Sequence, residues 1–325
     1  MWIDGHTLGV DLGGTKVLTA LVDKEGQILA SQRRPTDARK GADAVIEDVV
    51  ACVRDCLGKA AEDADALGIG IAGQVDTDSG TVTFAPNLGW QDIQLGPRLS
   101  SALDIPVVVH NDVRAAAWGE WLYGVAKGVQ HLVVVFVGTG IGGAVVSEGR
   151  MLDGHSHAAG ELGHITLVVE GRKCRCSNYG CLESYAGGWA IAERAQEVVE
   201  ARPVLGKGLI DLAGSAAEIT AQHVAEGYRL DDPLAVRLVE ETGVYLAAAA
   251  IGFVNTFNPR LLVMGGGVIE GLPELIVMVE AGIQSGALPT PRRDVAVVKA
   301  ALAGAAGVIG AAALARRQAV EPHGL

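Results

Sequence analysis

"HTLGVDLGGTKVLTALVDKEGQILA", residues 6–30, decides the fold because its pattern occurs twice in the chain. Apolar, often β-branched residues flank a Gly-Gly bend, and a polar turn with glycine leads into a further apolar run, which predicts three successive strands. "HLVVVFVGTGIGGAVVSEGRML", residues 131–152, repeats this pattern. Two copies of one hairpin predict two related α/β domains that face each other, with chance similarity as the alternative.

The rest of the chain alternates between the two kinds of element. A helix is predicted near residues 44–60, and strands are predicted in "ALGIGIAG" and "IPVVVHND". "DPLAVRLVEETGVYLAAAAIGFVNTFNP" predicts a long helix, with proline at its opening and Asn-Pro at its end. "RLLVMGGGV" and "DVAVVKA" predict strands, and "AGAAGVIGAAALARR" predicts a closing helix that packs back on the first domain. The alternation indicates the α/β class.

Composition narrows the possible partners and the location. The 325 residues are 49% hydrophobic with a net charge of −12, which suits a globular protein of two domains and argues against nucleic-acid or membrane partners. The amino terminus has no basic segment followed by an apolar run, so no signal peptide is expected. The longest apolar run, residues 243–254, is shorter than the roughly 20 residues that cross a bilayer. We therefore expect a soluble, cytoplasmic protein.

The five cysteines divide into a pair and a group of three. Cys52 and Cys56 lie one turn apart on an amphipathic helix and are predicted to be buried thiols, since a reducing cytoplasm disfavours disulfides. Cys174, Cys176 and Cys181 are spaced so that three sulfurs can converge on one ion, and a structural Zn²⁺ takes four ligands. Spacing alone leaves open which histidine is the fourth; the candidates are His155, His157 and His164.

Three glycine-rich loops are candidates for binding phosphate: "DLGGTK" (11–16), "GTGIGG" (138–143) and "MGGGV" (264–268). Glycine lets backbone N–H groups approach an anion closely, although each loop taken alone is more commonly a tight hairpin turn. The second loop matches the dinucleotide-binding fingerprint, but a strand follows it where that fingerprint requires a helix. No P-loop sequence is present.

Together, "VDLGGTK", "NDVRAAAWGE", "GTGIGG", "AGELGHI" and "CRCSNYGCLE" resemble the successive motifs of the ROK family of sugar kinases. The similarity extends to "VMGGGV" and "GVIGAA" near the end of the chain, and the cysteine motif is its most specific part. It implies an α/β, two-domain actin-like ATPase (sugar kinase/Hsp70/actin) fold with a duplicated glycine-rich β-hairpin core and an interdomain cleft. The expected domains are residues 1–112 with a C-terminal helix at about 303–325, and residues 113–302 with the zinc site and nucleotide-binding loops.

The resemblance also implies roles for the glycine loops. ATP phosphates would lie against the first loop and the start of the second, with the adenosine against the third. The implied residues are Asp11, Gly13, Gly14, Thr15, Lys16, Thr139 and Gly140 for the phosphates, and Gly265 and Gly266 for the adenosine. Asp11 would also face Mg²⁺ through water, because this ion gives up its hydration shell reluctantly.

Asn111 and Asp112 follow a predicted strand, where ligand-facing residues collect in α/β proteins. Capping of the next helix is the alternative role for both, and the two roles are compatible. The resemblance makes Asp112 the general base that accepts the proton of a sugar hydroxyl. The residues it implies for sugar binding are Asn87, Asn111, Asp112, Glu161, His164, Glu183 and, through its backbone, Gly73, although this chain lacks the proline that commonly precedes that glycine.

For the metal, the family motif selects His164 as the fourth ligand beside Cys174, Cys176 and Cys181. Ser177 stands where the family usually has glycine, which leaves the four ligands in place and puts the local turn in question. The implied Zn²⁺ is structural, and it fixes the orientation of His164 and Glu183 toward the sugar.

"FAPNLGWQDIQL" most resembles bacterial glucokinases, so the expected activity is ATP-dependent phosphorylation of glucose at the 6-hydroxyl, a step of glycolysis. The alternatives are a ROK kinase for N-acetylmannosamine, N-acetylglucosamine or fructose, or a ROK-type sugar-responsive repressor that lacks its DNA-binding domain. The acidic charge and the first strand near residue 7 argue against the repressor. Polyphosphate is an alternative phosphoryl donor. The resemblance also implies a homo-oligomer, because ROK kinases are commonly dimers or tetramers.

Overall fold

The computed structural model describes residues 3–318. The strands are β1 (Thr7–Leu12), β2 (Lys16–Val22), β3 (Ile28–Pro35), β4 (Ala66–Ile71), β5 (Gln74–Asp76), β6 (Thr81–Ala85), β7 (Trp90–Ile93), β8 (Val107–Asn111), β9 (Leu132–Val137), β10 (Ile141–Ser147), β11 (Arg150–Met151), β12 (Leu261–Gly265) and β13 (Ala296–Lys299). The helices are α1 (Ala42–Leu57), α2 (Leu95–Leu103), α3 (Asp112–Leu122), α4 (Glu183–Ala186), α5 (Gly188–Ala201), α6 (Lys207–Ala213), α7 (Ala221–Arg229), α8 (Pro233–Phe257), α9 (Gly267–Gly271), α10 (Glu274–Gly286), α11 (Pro289–Asp294) and α12 (Ala306–Gln318).

The chain forms two compact units. Unit 1 consists of the described parts of 1–128, 153–159 and 301–325, and unit 2 consists of 129–152 and 160–300. The large sheet of unit 1 has the strand order β3-β2-β1-β4-β8, and that of unit 2 has the order β11-β10-β9-β12-β13. In both sheets an antiparallel three-strand hairpin is followed by two parallel strands. The predicted duplication of the glycine-rich hairpin is therefore confirmed.

The closing helix α12 packs directly on the sheet of unit 1, as predicted. Two strand glycines make this possible: a Cβ on Gly9 of β1 would collide with the carbonyl of Val308, and a Cβ on Gly68 of β4 would collide with that of Ala311. Helix backbone and strand backbone meet here without side chains between them. Residues 319–325 of the expected C-terminal helix lie outside the described residues.

The same close packing joins α3 to α12. A Cβ on Gly310 of α12 would collide with the carbonyl of Ala115 in α3, and a Cβ on Gly119 would lie 2.7 Å from the carbonyl oxygen of Ala306. Small residues on both helices thus let the two backbones touch. Unit 1 consequently continues through α3 to residue 128, whereas the expected boundary lay at residue 112.

A second segment, residues 153–159, also belongs to unit 1 although it follows the second hairpin. The largely buried guanidinium of Arg114 on α3 donates to the carbonyl of Ala159 at 3.0 Å and forms an ion pair with Asp153. His157 of this segment lies 3.7 Å from a carboxylate oxygen of Asp78. These contacts tie the segment to unit 1, an arrangement that the sequence pattern did not predict.

A small antiparallel sheet of order β5-β6-β7 was also not predicted. Its strands contain three to five residues, too few to show a clear alternation. The side chains of Val82 and Trp90 in this sheet are buried, and the turn between β6 and β7 contains Asn87. The sheet therefore places one of the expected sugar-binding residues.

Other local predictions are confirmed. The long helix α8 starts at Pro233, where the Asp232 side chain accepts two backbone hydrogen bonds, and it ends at Phe257, followed by Asn258 in the left-handed region. Cys52 and Cys56 are fully buried on α1 and form no disulfide. Within residues 3–318, none of the helices combines the length and the apolarity that a membrane crossing requires.

Candidate active site and metal centre

The carboxyl ends of the parallel strands in unit 1 bring several expected residues to one edge of the sheet. In the strand register Asp11 of β1 lies opposite Gly70 of β4, which in turn lies opposite His110 of β8. Asn111 and Asp112 follow His110 directly. Because ligands of α/β proteins bind beyond the carboxyl ends of the strands, this edge is the candidate site of unit 1.

Asn111 caps α3, and Asp112 is the first residue of that helix. The Asn111 Oδ1 accepts hydrogen bonds from the N–H groups of Val113 (3.0 Å) and Arg114 (3.1 Å), and its Nδ2 donates to the carbonyl of Gly73 at 3.1 Å. The Asp112 Oδ1 accepts from the Val113 N–H at 2.9 Å. The capping alternative thus holds for Asn111, and the Asp112 carboxylate bonds to the first turn of the same helix.

The first glycine loop contacts the turn that contains Asn87. The Gly13 N–H donates to the Lys16 carbonyl at 2.9 Å, which closes the β1–β2 bend. A Cβ on Gly14 would lie 2.9 Å from the Asn87 carbonyl oxygen. Neither glycine has a positive φ, so close approach is the reason for glycine at residue 14. Thr15 and Lys16 are exposed at the tip of the bend.

Asp11 is a partly buried carboxylate beside this loop. Burial raises its pKa above the usual range, against the weaker opposing effect of the positive charges of Lys16 and Arg33. A Cβ on Gly307, in the first turn of α12, would lie 3.3 Å from the Asp11 Cγ. A cation facing this carboxylate would favour its ionised form, so the position suits the expected role near Mg²⁺.

The equivalent edge in unit 2 contains the other two glycine loops. Thr139 and Gly140 follow β9; Gly265 ends the adjacent strand β12 and Gly266 follows it directly. Gly266 has φ +91°, and a Cβ there would lie 2.5 Å from the Val137 carbonyl oxygen, so only glycine fits this turn. The expected nucleotide-binding residues of unit 2 thus lie at one edge of one sheet.

Glu183 contacts the second glycine loop. Its Oε2 accepts a hydrogen bond from the Ile141 N–H at 2.8 Å, and its Oε1 accepts one from the Trp189 indole N–H at 3.1 Å. A Cβ on Gly140 would collide with Oε2. Each carboxylate oxygen has a further lone pair, so these bonds are compatible with the expected sugar contact. The sequence pattern did not single out Trp189, because an aromatic residue on an amphipathic helix is typical of a core.

Glu161 precedes a short 3₁₀ turn, Leu162–His164, and the N–H of His164, the last residue of the turn, donates to the Glu161 carbonyl at 3.0 Å. The Glu161 side chain is exposed. The His164 Nδ1 lies 3.7 Å from the Cys174 Sγ, which leaves Nε2 as the ring nitrogen on the other side. The fold thus places the His164 imidazole at the cysteine cluster, and the Glu161 backbone contacts that of His164.

The sulfurs of Cys174, Cys176 and Cys181 and a ring nitrogen of His164 all lie within 4.8 Å of one another. The Cys176 and Cys181 sulfurs are 3.7 Å apart. A tetrahedral Zn²⁺ with bonds of about 2.3 Å to sulfur and about 2.0 Å to nitrogen separates its ligand atoms by roughly 3.5–3.8 Å. The four side chains therefore fit a structural zinc site. Among the described residues, no other group of three or more candidate ligands comes together in this way.

Burial raises the pKa of the Cys174 thiol to about 12, and burial also raises that of Cys181. A metal would have to displace these protons, because the thiolate is the ligand. Ser177, at the position where the motif usually has glycine, adopts φ +76°, a left-handed conformation that favours glycine. Its N–H nevertheless donates to the Cys174 carbonyl at 3.1 Å, so the turn forms with serine in place.

The ROK family profile matches residues 7–318, which is nearly the whole chain. The chain belongs to the ROK family. This confirms the family and the actin-like ATPase fold that the motifs implied.

Similar proteins include both enzymes and regulators. Glucokinase from Streptomyces coelicolor is 33% identical over 314 residues, which are 96% of this chain and 98% of that protein. A crystal structure of a ROK family glucokinase from Streptomyces griseus, in complex with glucose and AMPPNP, has a TM-score of 0.85 and 35% identity, and the match covers 96% of this chain and 100% of that one. The xylose repressor of Bacillus subtilis is 27% identical over 283 residues, which are 86% of this chain and 69% of the repressor.

Proposed function

We propose that the protein is an ATP-dependent hexose kinase that phosphorylates glucose at its 6-hydroxyl. One observation carries the proposal: Asp112 begins α3 at the sheet edge that also holds Asp11, beside an asparagine that caps the same helix. Similarity to glucokinases over nearly the full length of the chain supports it.

Asp112 is the proposed general base. A sugar hydroxyl is a weak nucleophile, and a carboxylate that accepts its proton contributes typically about 10²–10⁴-fold to the rate. As the proton moves from the 6-hydroxyl to Asp112, the sugar oxygen bonds to the γ-phosphorus and the bond to ADP breaks, in line with the attack. The products are glucose 6-phosphate and ADP.

The proposed sugar contacts are the polar residues that the family motifs imply. Polar side chains bind the hydroxyls, because carboxylate and amide groups can each make two hydrogen bonds. The residues are Asn87, Asn111, Glu161, His164 and Glu183, with the backbone of Gly73. The bond from Asn111 to the Gly73 carbonyl holds two of these in fixed positions before any sugar binds.

The proposed nucleotide contacts are the backbone and side chains of residues 11–16, together with Thr139, Gly140, Gly265 and Gly266. Bound Mg²⁺ would neutralise the charge of the phosphates, and Asp11 is the carboxylate proposed to face it. The three cysteines and His164 would hold Zn²⁺ as a closed structural site. Such a site would fix the imidazole of His164 and, through the adjoining chain, the start of α4.

A coupled kinase assay with Asp112→Asn tests the base directly. We expect kcat to fall by about two to four orders of magnitude, while calorimetry shows glucose bound with nearly unchanged affinity. Asp104→Asn is the matched control, because this exposed residue has φ +57°, which asparagine tolerates. Substantial kcat in Asp112→Asn would remove Asp112 from this role.

The same assay, run with a panel of hexoses and N-acetylhexosamines as acceptors and with ATP or polyphosphate as donor, tests the choice of substrates. Fastest turnover of N-acetylmannosamine, N-acetylglucosamine or fructose would replace glucose in the proposal. Sugar binding without turnover by the wild type would favour a regulator, as the similarity to a xylose repressor would suggest. Reduced cysteines as metal ligands agree with a cytoplasmic location. The predicted dimer or tetramer can be tested by analytical ultracentrifugation.

A further inference from the structure

Trp189, at the start of α5, contacts the second glycine loop through its main chain and contacts Glu183 through its side chain. Its backbone N–H donates to the Thr139 carbonyl at 3.0 Å, and the neighbouring Gly188 N–H donates to the Gly138 carbonyl at 2.9 Å. Its indole N–H donates to the Glu183 Oε1 at 3.1 Å. The indole is thus almost fully buried between a loop and a carboxylate.

Glu183 completes this arrangement from the other side of the loop. Its Oε2 accepts the Ile141 N–H at 2.8 Å, at the point where the loop enters β10. Gly140 lacks the Cβ that would collide with this oxygen. One carboxylate therefore connects the indole of Trp189 to the backbone of the loop.

The Trp189 ring is itself fixed by the cysteine loop. The Arg175 guanidinium lies over the ring, 4.4 Å from its centre, and Arg175 stands between Cys174 and Cys176 in the chain. A guanidinium over an indole is an attractive contact that restrains the ring. The cysteine loop, Trp189, Glu183 and the glycine loop thus form one continuous set of contacts within unit 2.

We propose that Trp189 is a positioning residue: its indole N–H sets the orientation of Glu183, and Glu183 in turn holds the Thr139–Ile141 loop in the form that receives the phosphates of ATP. This inference rests on the proposed function in assigning phosphate to that loop. Since Glu183 is also a proposed sugar contact, the same carboxylate links the two substrates. Loss of the indole donor leaves Oε1 without this partner and lets the carboxylate rotate away from Ile141.

Trp189→Phe tests this, because phenylalanine keeps an aromatic ring and removes only the donor. The matched control is Trp118→Phe, since the indole nitrogen of Trp118 is buried and makes no hydrogen bond within the described part of the chain. The first measurement is hydrogen exchange of the Ile141 amide by NMR. We expect about tenfold faster exchange in Trp189→Phe, as suits the loss of a bond to a charged group, and no local change in Trp118→Phe.

The second measurement is kinetic. We expect Trp189→Phe to raise KM for ATP and for the sugar together by about tenfold, with a smaller change in kcat, because the residue acts by orienting groups that bind both substrates. Binding of a non-hydrolysable ATP analogue, measured by calorimetry without sugar, should weaken by a similar factor. Trp189→Tyr serves as a second variant by the same criteria should the phenylalanine variant not fold.

Unchanged Ile141 exchange in Trp189→Phe overturns the inference, and so does equal acceleration in both phenylalanine variants, which would show general loosening of the protein. The exchange measurement requires no turnover. If the wild type lacks kinase activity but Trp189→Phe still shows selectively faster exchange at Ile141, the proposed function is removed and the link between Trp189 and the loop is retained.

Discussion

Replacement of Ser177 by glycine is expected to stabilise the cysteine loop. An L-residue in the left-handed region costs about 1–2 kcal/mol because its Cβ crowds the carbonyl oxygen, and Ser177 has φ +76°. Glycine removes that cost but adds about 0.4–1 kcal/mol of conformational freedom to the unfolded chain. The serine side chain is exposed, so little packing is lost. The midpoints of these two ranges differ by about 0.8 kcal/mol, which is the expected net gain in folding free energy.

This gain should appear in two measurements. Calorimetry of the metal-saturated protein should show Tm higher by about 1–4 °C, the scale expected for a domain of 150–250 residues. If the turn forms only when the metal is bound, the same free energy enters the binding equilibrium. Competition with a chromogenic chelator should then show a two- to fivefold higher affinity for zinc, by the conversion of about 1.4 kcal/mol per factor of ten.

Two other turn positions serve as controls. Glu148 has φ +53° in an exposed turn outside the cysteine loop, so Glu148→Gly should raise Tm and leave zinc affinity unchanged. Gly180 has φ +75°, and a Cβ there would collide with the Val168 carbonyl, so Gly180→Ala should lower both Tm and zinc affinity. A Ser177→Gly variant with lower Tm, or with zinc affinity no higher than that of Glu148→Gly, would refute the reasoning from backbone strain.

Three further outcomes are expected. Removal of the metal by a chelator should raise the sugar KM and lower Tm, because His164 and Glu183 lose their fixed orientation; a verified metal-free protein with unchanged KM would contradict this. Burial raises the pKa of Asp11 in the folded protein above that of an ordinary aspartate. As pH rises from the ordinary aspartate pKa through this raised pKa, the buried carboxylate must ionise, and the folded state becomes less stable. Asp11→Asn should therefore raise Tm at neutral pH, with the gain disappearing in acid, while Mg²⁺-ATP turnover falls at least about tenfold; a lower Tm at neutral pH would contradict the assignment. Gly310→Ala should cost about 1–3 kcal/mol or more, because its Cβ collides with the α3 backbone, whereas Gly252→Ala, in open space on α8, should gain about 0.5–1 kcal/mol in urea unfolding.

The local pattern of the sequence was sufficient to predict much of the fold. The two hairpins, the long helix α8 and the strands β4, β8, β12 and β13 were predictable, because each depends on apolar periodicity and on turn residues a few positions away. Even the turn at Ser177 was anticipated as a departure from the family motif. Its actual conformation was not, since a φ angle depends on how the loop closes.

The small sheet β5-β6-β7 and the membership of α3 in unit 1 were not predictable from local pattern. The strands of the small sheet are too short to show an alternation, and α3 joins unit 1 through Gly119 and Gly310, which lie far apart in sequence. The segment 153–159 joins unit 1 through Arg114, again across a long stretch of chain. Contacts of this kind leave no periodic signal in the sequence.

By itself, the sequence determined the α/β class, the duplicated hairpin and the ROK motifs, and it supplied the proposed site residues, because these are carried by residue types at short spacings. Only the tertiary structure decided that Glu183 bonds the Ile141 backbone 42 positions away and that Trp189 holds the other oxygen of the same carboxylate. Hydrogen bonds join groups that the folded backbone brings within about 3 Å, and residue order alone does not specify that distance.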